Sequence, residues 1–322
     1  MRSDRQPELS VILVTPDRYA PLRETVGCLL RQTVRDALEI VLVAPAEDAL
    51  ELDPSELDPF LCHHVVEVGP LTTTGAAMAA GVRRATAPVV AYAEEHSYPE
   101  PAWAEAVIRR HREPWAAVGW PLRNANPGSL IAWASLLTDF ASWVAPVEGG
   151  EVSRLPGHHA AYKRDVLLAY GDRLAAMLEV EGVLHFDMRR NGLRLYLEPS
   201  VSSLHVNVSR LGSYFQAEYL GGRTFAAARA RSGRWSPLKR ILFVAGAPLI
   251  PLVRLRRILA DVRRAGLTRQ VMPRTLPALC FGVTAHTVGE IAGYTLGSGR
   301  AQQRRIGIEL QRRRHLGRRE RE

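Results

Sequence analysis

Three ionisable residues in a row, Glu94-Glu95-His96, close a short apolar run at 88–93. Val89, Val90 and Tyr92 favour a strand, and the run is too short for a helix. Ionisable groups at the end of a buried strand are costly unless something uses them. In open α/β sheets, ligands gather at the carboxyl ends of the strands. Glu94 and His96 are therefore candidates to hold a metal ion or a phosphate-bearing ligand. The plainer reading is a solvated strand end. Cys62-His63-His64 is a weaker candidate, because three adjacent residues cannot converge on one ion without distant partners. The three cysteines, Cys28, Cys62 and Cys280, are scattered. They form no disulfide framework and suit a reducing compartment.

The elements that must position the triplet alternate along the chain. Residues 9–14 read as a buried strand, followed by a turn at Thr15-Pro16-Asp17. Leu22, Val26, Leu29 and Leu30 recur at helical spacing to about residue 32. Residues 38–43 form a second strand, 51–59 an acidic loop, and 65–68 a short third strand. A small-residue helix over 75–85 leads into the strand at 89–93. This alternation predicts a parallel sheet with right-handed crossovers. No GxGxxG or Walker A motif is present, so the usual glycine cradles for phosphate are missing. A helix over 102–111 and a strand over 117–120 follow. Trp133 and Trp143 lie in an apolar stretch at 130–143 and suit a core better than a sugar platform. Residues 155–168 carry Gly157-His158-His159 and Tyr162-Lys163-Arg164. A helical stretch from 174 ends in Arg189-Arg190-Asn191-Gly192, with Gly192 a C-cap. Strands over 193–197 and 201–206 follow, the second carrying His205.

Past residue 212 the character changes. The chain of 322 residues carries a net charge of +9, and 300–322 holds nine Arg against three Glu. Such a tail suits an acidic surface or is simply solvated. Without interleaved aromatics or a recognised module, nucleic acid is not the expected partner. An apolar run over 241–253 is flanked by Lys239-Arg240 and by the basic residues of 254–257. It is shorter than the roughly 20 residues a spanning helix needs. It reads as lying in a membrane interface. A second run over 276–297 is long enough, but His286 and Glu290 are expensive in hydrocarbon. The expectation is an apolar, basic helical hairpin over 232–299, docked on the membrane surface, and an Arg-rich tail over 300–322. The alternative is two ordinary buried helices. Residues 9–14 lack a cleavage-site pattern, which predicts no signal peptide.

Several segments together carry a resemblance: Leu9-Ser-Val-Ile-Leu-Val-Thr-Pro16 with 22–32, and the strand, acidic triplet and Pro99-Glu100-Pro101-Ala102-Trp103 of 89–103. Residues 155–164, the helix end at 184–192 and the strand from Pro199 to His205 complete the set. In this order and spacing, residues 9–231 resemble glycosyltransferase family 2, the inverting nucleotide-sugar transferases. The resemblance implies an α/β GT-A (Rossmann-like) fold, with a mixed, mostly parallel sheet flanked by helices over 1–231. It implies a glycosyltransferase that moves a sugar from a nucleotide-sugar donor to a lipid-linked or polysaccharide acceptor at the cytoplasmic face of the membrane. It also implies a divalent ion, Mn²⁺ or Mg²⁺, on the diphosphate. The family's two metal-binding acids fall on Glu94 and His96, and a further ligand on His205. The general base falls on Glu181, with Glu179 and Asp187 as alternatives. Thr15, Pro16, Glu47 and Glu95 are the expected donor contacts. Three positions depart from the family. Ala44-Pro45 replaces an acidic pair after the second strand, Ala79 replaces an Asn, and His159 replaces another Asn. These departures suggest a second reading, a non-catalytic membrane-associated scaffold with the same fold.

Overall fold

A computed structural model describes residues 5–320. The chain divides into two compact units, one of residues up to 121 with 148–204, the other of 122–147 with 205 onward. Composition places a boundary at 231, whereas compactness divides the chain elsewhere.

The first unit is built on an eight-stranded sheet. Its opening strands are β1 (Leu9–Val14), β2 (Leu38–Ala44), β3 (Cys62–Glu67) and β4 (Val89–Ala93). Helices α1 (Arg23–Leu30), α2 (Thr74–Arg84) and α3 (Trp103–His111) accompany them. Strand β5 (Ala117–Gly119) comes next. Helix α4 (Leu130–Phe140) then falls in the second unit. The chain returns with β6 (Gly150–Val152) and β7 (Ala160–Lys163). The short helices α5 (Arg164–Leu168) and α6 (Leu174–Leu178) precede α7 (Glu181–Arg190) and β8 (Leu195–Leu197).

The strand order is β3-β2-β1-β4-β7-β5-β8-β6. Strands β1 to β4 run parallel, as do β5 and β8, while β7 is antiparallel to both β4 and β5. β1 and β2 are buried along their whole length, as central parallel strands covered on both faces must be. Their two polar residues are satisfied internally. Ser10 donates to Glu39, which also accepts from the Thr86 amide at 2.7 Å. β3 is the edge strand and only half-buried, so its apolar signal is weak and it begins three residues earlier than the sequence predicts. Gly192 adopts φ 77°, the left-handed conformation expected just past a helix end.

In the second unit, α8 (Leu211–Ser232) and α12 (Leu276–Leu296) pack on each other. Around them lie α4, α9 (Pro237–Gly246), α10 (Ile250–Arg264), α11 (Thr268–Val271) and α13 (Ala301–Glu309). The approach of α8 and α12 is backbone to backbone. A Cβ on Gly222 would lie 2.1 Å from the His286 carbonyl oxygen, and one on Gly289 2.1 Å from that of Tyr219. The glycines of the second apolar run thus serve helix packing. Glu290 is buried there, and His286 Nδ1 stands 3.2 Å from Glu218. One face of 276–297 is thus buried against α8, while Phe281, Val288 and Leu296 stay exposed. No described helix is long and apolar enough to cross a membrane. The basic tail is also ordered: Ile308, Leu310 and Leu316 are buried, and His315 bonds to Ser213 at 2.9 Å. Residues 321–322 lie outside the described chain.

Candidate functional site

The loop after β4 is held by side chains from α1 and by its own turn. Thr25 Oγ1 donates to the Glu94 carbonyl at 2.7 Å. Gln32 donates to the Glu100 carbonyl at 2.9 Å and accepts from the Ala104 amide at 2.8 Å, which caps α3. The Glu100 carboxylate accepts from the Ser202 amide and hydroxyl, both at 2.9 Å. Trp103 packs edge-on against Trp120 at 5.1 Å, a pair worth about 1 kcal/mol beyond its burial. The Pro-bracketed turn therefore anchors the triplet from both sides.

Glu94, Glu95 and His96 are all buried. His96 Nδ1 lies 2.6 Å from Glu95 Oε2, so that nitrogen donates and the carboxylate fixes the ring. His96 Nε2 then faces Glu94 Oε2 at 3.4 Å. His159 Nε2 lies 3.3 Å from the same oxygen. His158 Nδ1 lies 2.7 Å from the other, Glu94 Oε1. Burial raises the Glu94 carboxyl, but His96, His158 and His159 together hold it well below the usual carboxylate range. Two ligands of one ion, each about 2.1 Å from it, stand roughly 3.0–3.4 Å apart. The Glu94–His96 and Glu94–His159 separations each match that spacing, so Glu94 with one of these imidazoles fits two positions of a borderline divalent ion.

Glu181 opens α7 and is buried. It accepts from the His158 amide and, at 2.7 Å, from the Tyr162 hydroxyl. The Tyr162 hydroxyl also meets His185 Nε2 at 2.8 Å, while the Leu155 amide donates to His185 Nδ1 at 3.4 Å. The amide sets the His185 tautomer: Nε2–H donates to Tyr162, and Tyr162 donates to Glu181. Burial raises the Glu181 carboxyl above its ordinary value, against the lowering pull of His158 and Tyr162. Burial pushes His185 down to about 3, so it stays neutral in this chain. The Tyr92 hydroxyl is buried nearby on β4, with no hydrogen-bond partner among the described residues.

The other expected residues are placed as follows. Glu179 lies between α6 and α7 and accepts from the Gly75 amide at 2.8 Å, so it caps α2. Asp187 is half-buried, with its carboxylate bound by Asn191 at 3.2 Å. Neither shares the Glu181 cluster. Thr15 and Pro16 follow β1 and Glu47 follows β2, at the same carboxyl edge as 94–96. Thr15 Oγ1 donates to the Arg18 carbonyl at 2.7 Å, and the Glu47 amide to Glu67 at 3.3 Å. His205 belongs to the second unit, where it meets Asn207 at 2.8 Å and packs against Phe140 at 5.3 Å. Cys62 and His64 find a distant partner in Glu39. Yet Glu39 is clamped by Ser10 and Thr86, and the Arg84 guanidinium lies 2.6 Å from His64 Nδ1. Sequence reasoning missed His158 and Tyr162 as site residues. His158 lies between a Gly and a short strand and Tyr162 within that strand, places that no motif spacing singles out.

No family model matches this sequence, and no curated protein does. The structure is similar to that of the mannosyltransferase PcManGT from Pyrobaculum calidifontis in complex with GDP-Man and Mn²⁺. The TM-score is 0.57 at 21% identity, over 89% of this chain and 88% of that one. At this identity the likeness shows the fold, a mostly parallel sheet flanked by helices of the GT-A-like kind. S. aureus TarS 1-349 aligns with a TM-score of 0.48 at 16% identity, over 90% of this chain and 92% of that one.

Proposed function

We propose that the chain is an inverting glycosyltransferase that takes its sugar from a nucleotide-sugar donor. The observation that carries this reading is the pairing of Glu94, set among His96, His158 and His159, with the buried carboxylate of Glu181 across the His158 residue. The shared fold with a GDP-Man and Mn²⁺ complex supports it. Glu94 and His96 would hold a divalent ion, Mn²⁺ in preference to Mg²⁺ because imidazole is a softer ligand than a carboxylate. When bound, such an ion neutralises the charge that develops on a departing nucleoside diphosphate. Glu181 takes the proton of the acceptor hydroxyl as that oxygen attacks the sugar carbon opposite the leaving group. Tyr162, backed by His185, fixes the Glu181 carboxylate. Thr15, Pro16 and Glu47 line the donor side of the sheet edge, and Glu95 acts by orienting His96. The acceptor is a lipid-linked or polysaccharide hydroxyl.

The test is a panel of nucleotide-sugars incubated with the protein and Mn²⁺. Transfer or donor hydrolysis that disappears in Glu181→Gln supports the reading. No turnover with any donor, and no difference in Glu181→Gln, sinks it. One observation favours the second reading, a non-catalytic scaffold: His158 already pairs with Glu94 at 2.7 Å, as a purely structural carboxylate would require. That reading predicts no Mn²⁺-dependent nucleotide binding by calorimetry.

A further inference from the structure

Helix α9 is apolar in sequence yet has no buried residue along its ten positions. Leu238, Ile241 and Leu242 recur at helical spacing on one exposed face. The chain then passes through a single 3-10 turn, Ala247–Leu249, into α10. There Leu249, Leu252 and Val253 continue the exposed apolar surface. These six side chains are 46–67% exposed. Along α10 the exposed positions then change from apolar to basic: Arg256, Arg257 and Arg263 follow Leu252 and Val253. Lys239 is exposed at the other end. From 237 to 264 there are seven Lys or Arg against one acid, Asp261, and Asp261 is engaged by Ser142 at 2.8 Å.

A water-exposed apolar face of this size is unusual on a soluble surface unless something covers it. We infer that the face made by α9, 247–249 and the start of α10 docks in the plane of an anionic lipid bilayer. The charge chooses the occupant. Apolar side chains bordered by cations match the acyl boundary and the anionic headgroups above it, the arrangement of interfacial helices. A protein partner would need an apolar surface ringed by acids, and a second copy of this chain would bring cation against cation. Lys239 stands near one end of the apolar face and Arg256 and Arg257 near the other, which suits a face lying flat in the headgroup plane. The inference rests on this surface alone and stands apart from the transferase reading.

The experiment is co-sedimentation of the full chain with vesicles of phosphatidylcholine alone and of phosphatidylcholine with about a third phosphatidylglycerol. Binding is expected to the anionic vesicles. It should weaken about tenfold or more in high salt or on neutral vesicles, since screening removes the headgroup attraction. The double variant Leu242→Glu, Leu249→Glu should lose binding at unchanged thermal stability, because both side chains are exposed. Arg256→Glu with Arg257→Glu should lose only the anionic preference. Failure to bind anionic vesicles, or binding indifferent to both variants, overturns the inference. So does a concentration-dependent dimer that Leu242→Glu abolishes, because a second copy would then cover the face. None of these outcomes depends on sugar transfer, so the donor assay is read independently.

Discussion

His158 and Glu94 meet at 2.7 Å, through Nδ1 and Oε1, although 64 residues separate them. The same residue gives its amide to Glu181, and its Nε2 stands 3.8 Å from that carboxylate. One imidazole thus sits between the proposed cation-binding acid and the proposed base. It does so from a backbone φ of 60°, a conformation that costs a side chain about 1 kcal/mol or more. Strain at a buried charge cluster is retained where the ring is needed there.

Replacing His158 separates these two effects. His158→Gly removes the ring and relieves the backbone, since glycine adopts positive φ freely. Buried Glu94 also loses its 2.7 Å partner, so the relieved backbone offsets only part of that cost: the melting temperature is expected to fall modestly, while transfer falls about 100-fold. His158→Asn, which tolerates the left-handed region, should match its stability and recover part of the rate. Variants that lose stability yet keep the wild-type rate would mean that the ring is only packing.

The pH profile should report Glu181. A general base must be ionised, so activity is present above its pKa and lost as pH falls through it. Burial raises that pKa, so the acid limb of kcat/KM should lie above the ordinary carboxylate range. The Tyr162 hydroxyl stabilises the ionised form and lowers the value. Tyr162→Phe should therefore move the limb to higher pH, with donor affinity unchanged. A limb that stays in place removes Glu181 from the role.

Metal preference follows from the donor set around Glu94. Chelation should abolish turnover, and Mn²⁺ should restore it better than Mg²⁺ by about tenfold, because imidazole suits the softer ion. His96→Asp should narrow or invert that ratio in a titration of both ions. Equal restoration by the two ions in both proteins would exclude His96 as a ligand.

The helix pair of the second unit can be tested by stability alone. Gly289→Val places carbon atoms against the Tyr219 carbonyl, where even a Cβ would approach to 2.1 Å. The helices must separate, at an expected cost of about 3 kcal/mol or more. Gly221→Ala, one position from the contacting Gly222 and with open space around it, should be neutral or slightly stabilising. Thermal or urea melts of the two variants check the contrast. A Gly289→Val protein as stable as wild type would mean that the helices do not touch there.

The parallel strands were readable because β1 and β2 are buried on both faces, and such strands write themselves as unbroken apolar runs. β3 was half-readable because an edge strand needs no such run. The polar triplet at 94–96 was readable for the opposite reason: charge at the end of an apolar run demands an explanation. The role of the 276–297 helix was not. A glycine-rich apolar helix looks the same whether its partner is lipid or another helix, and only the packing of α8 against it decides. The same holds for the six exposed side chains of α9, the 247–249 turn and α10, whose hydrophobicity is local but whose exposure depends on which face the core leaves uncovered.

The sequence by itself determined that an α/β sheet carries acidic and histidine residues at a strand end, and that a helical stretch ending at 189–192 follows later in the chain. Those features are local, set by periodicity and by the few residues on either side. Only the tertiary structure decided that Glu181 opens a helix of its own, that His158 joins the two carboxylates, that His185 backs Tyr162 on Glu181, and that Glu179 caps α2 and leaves that cluster. Long-range hydrogen bonds and charge pairing join residues from β4, the turn before β7, and α7. Their strength depends on burial and distance in space, which no spacing along the chain encodes.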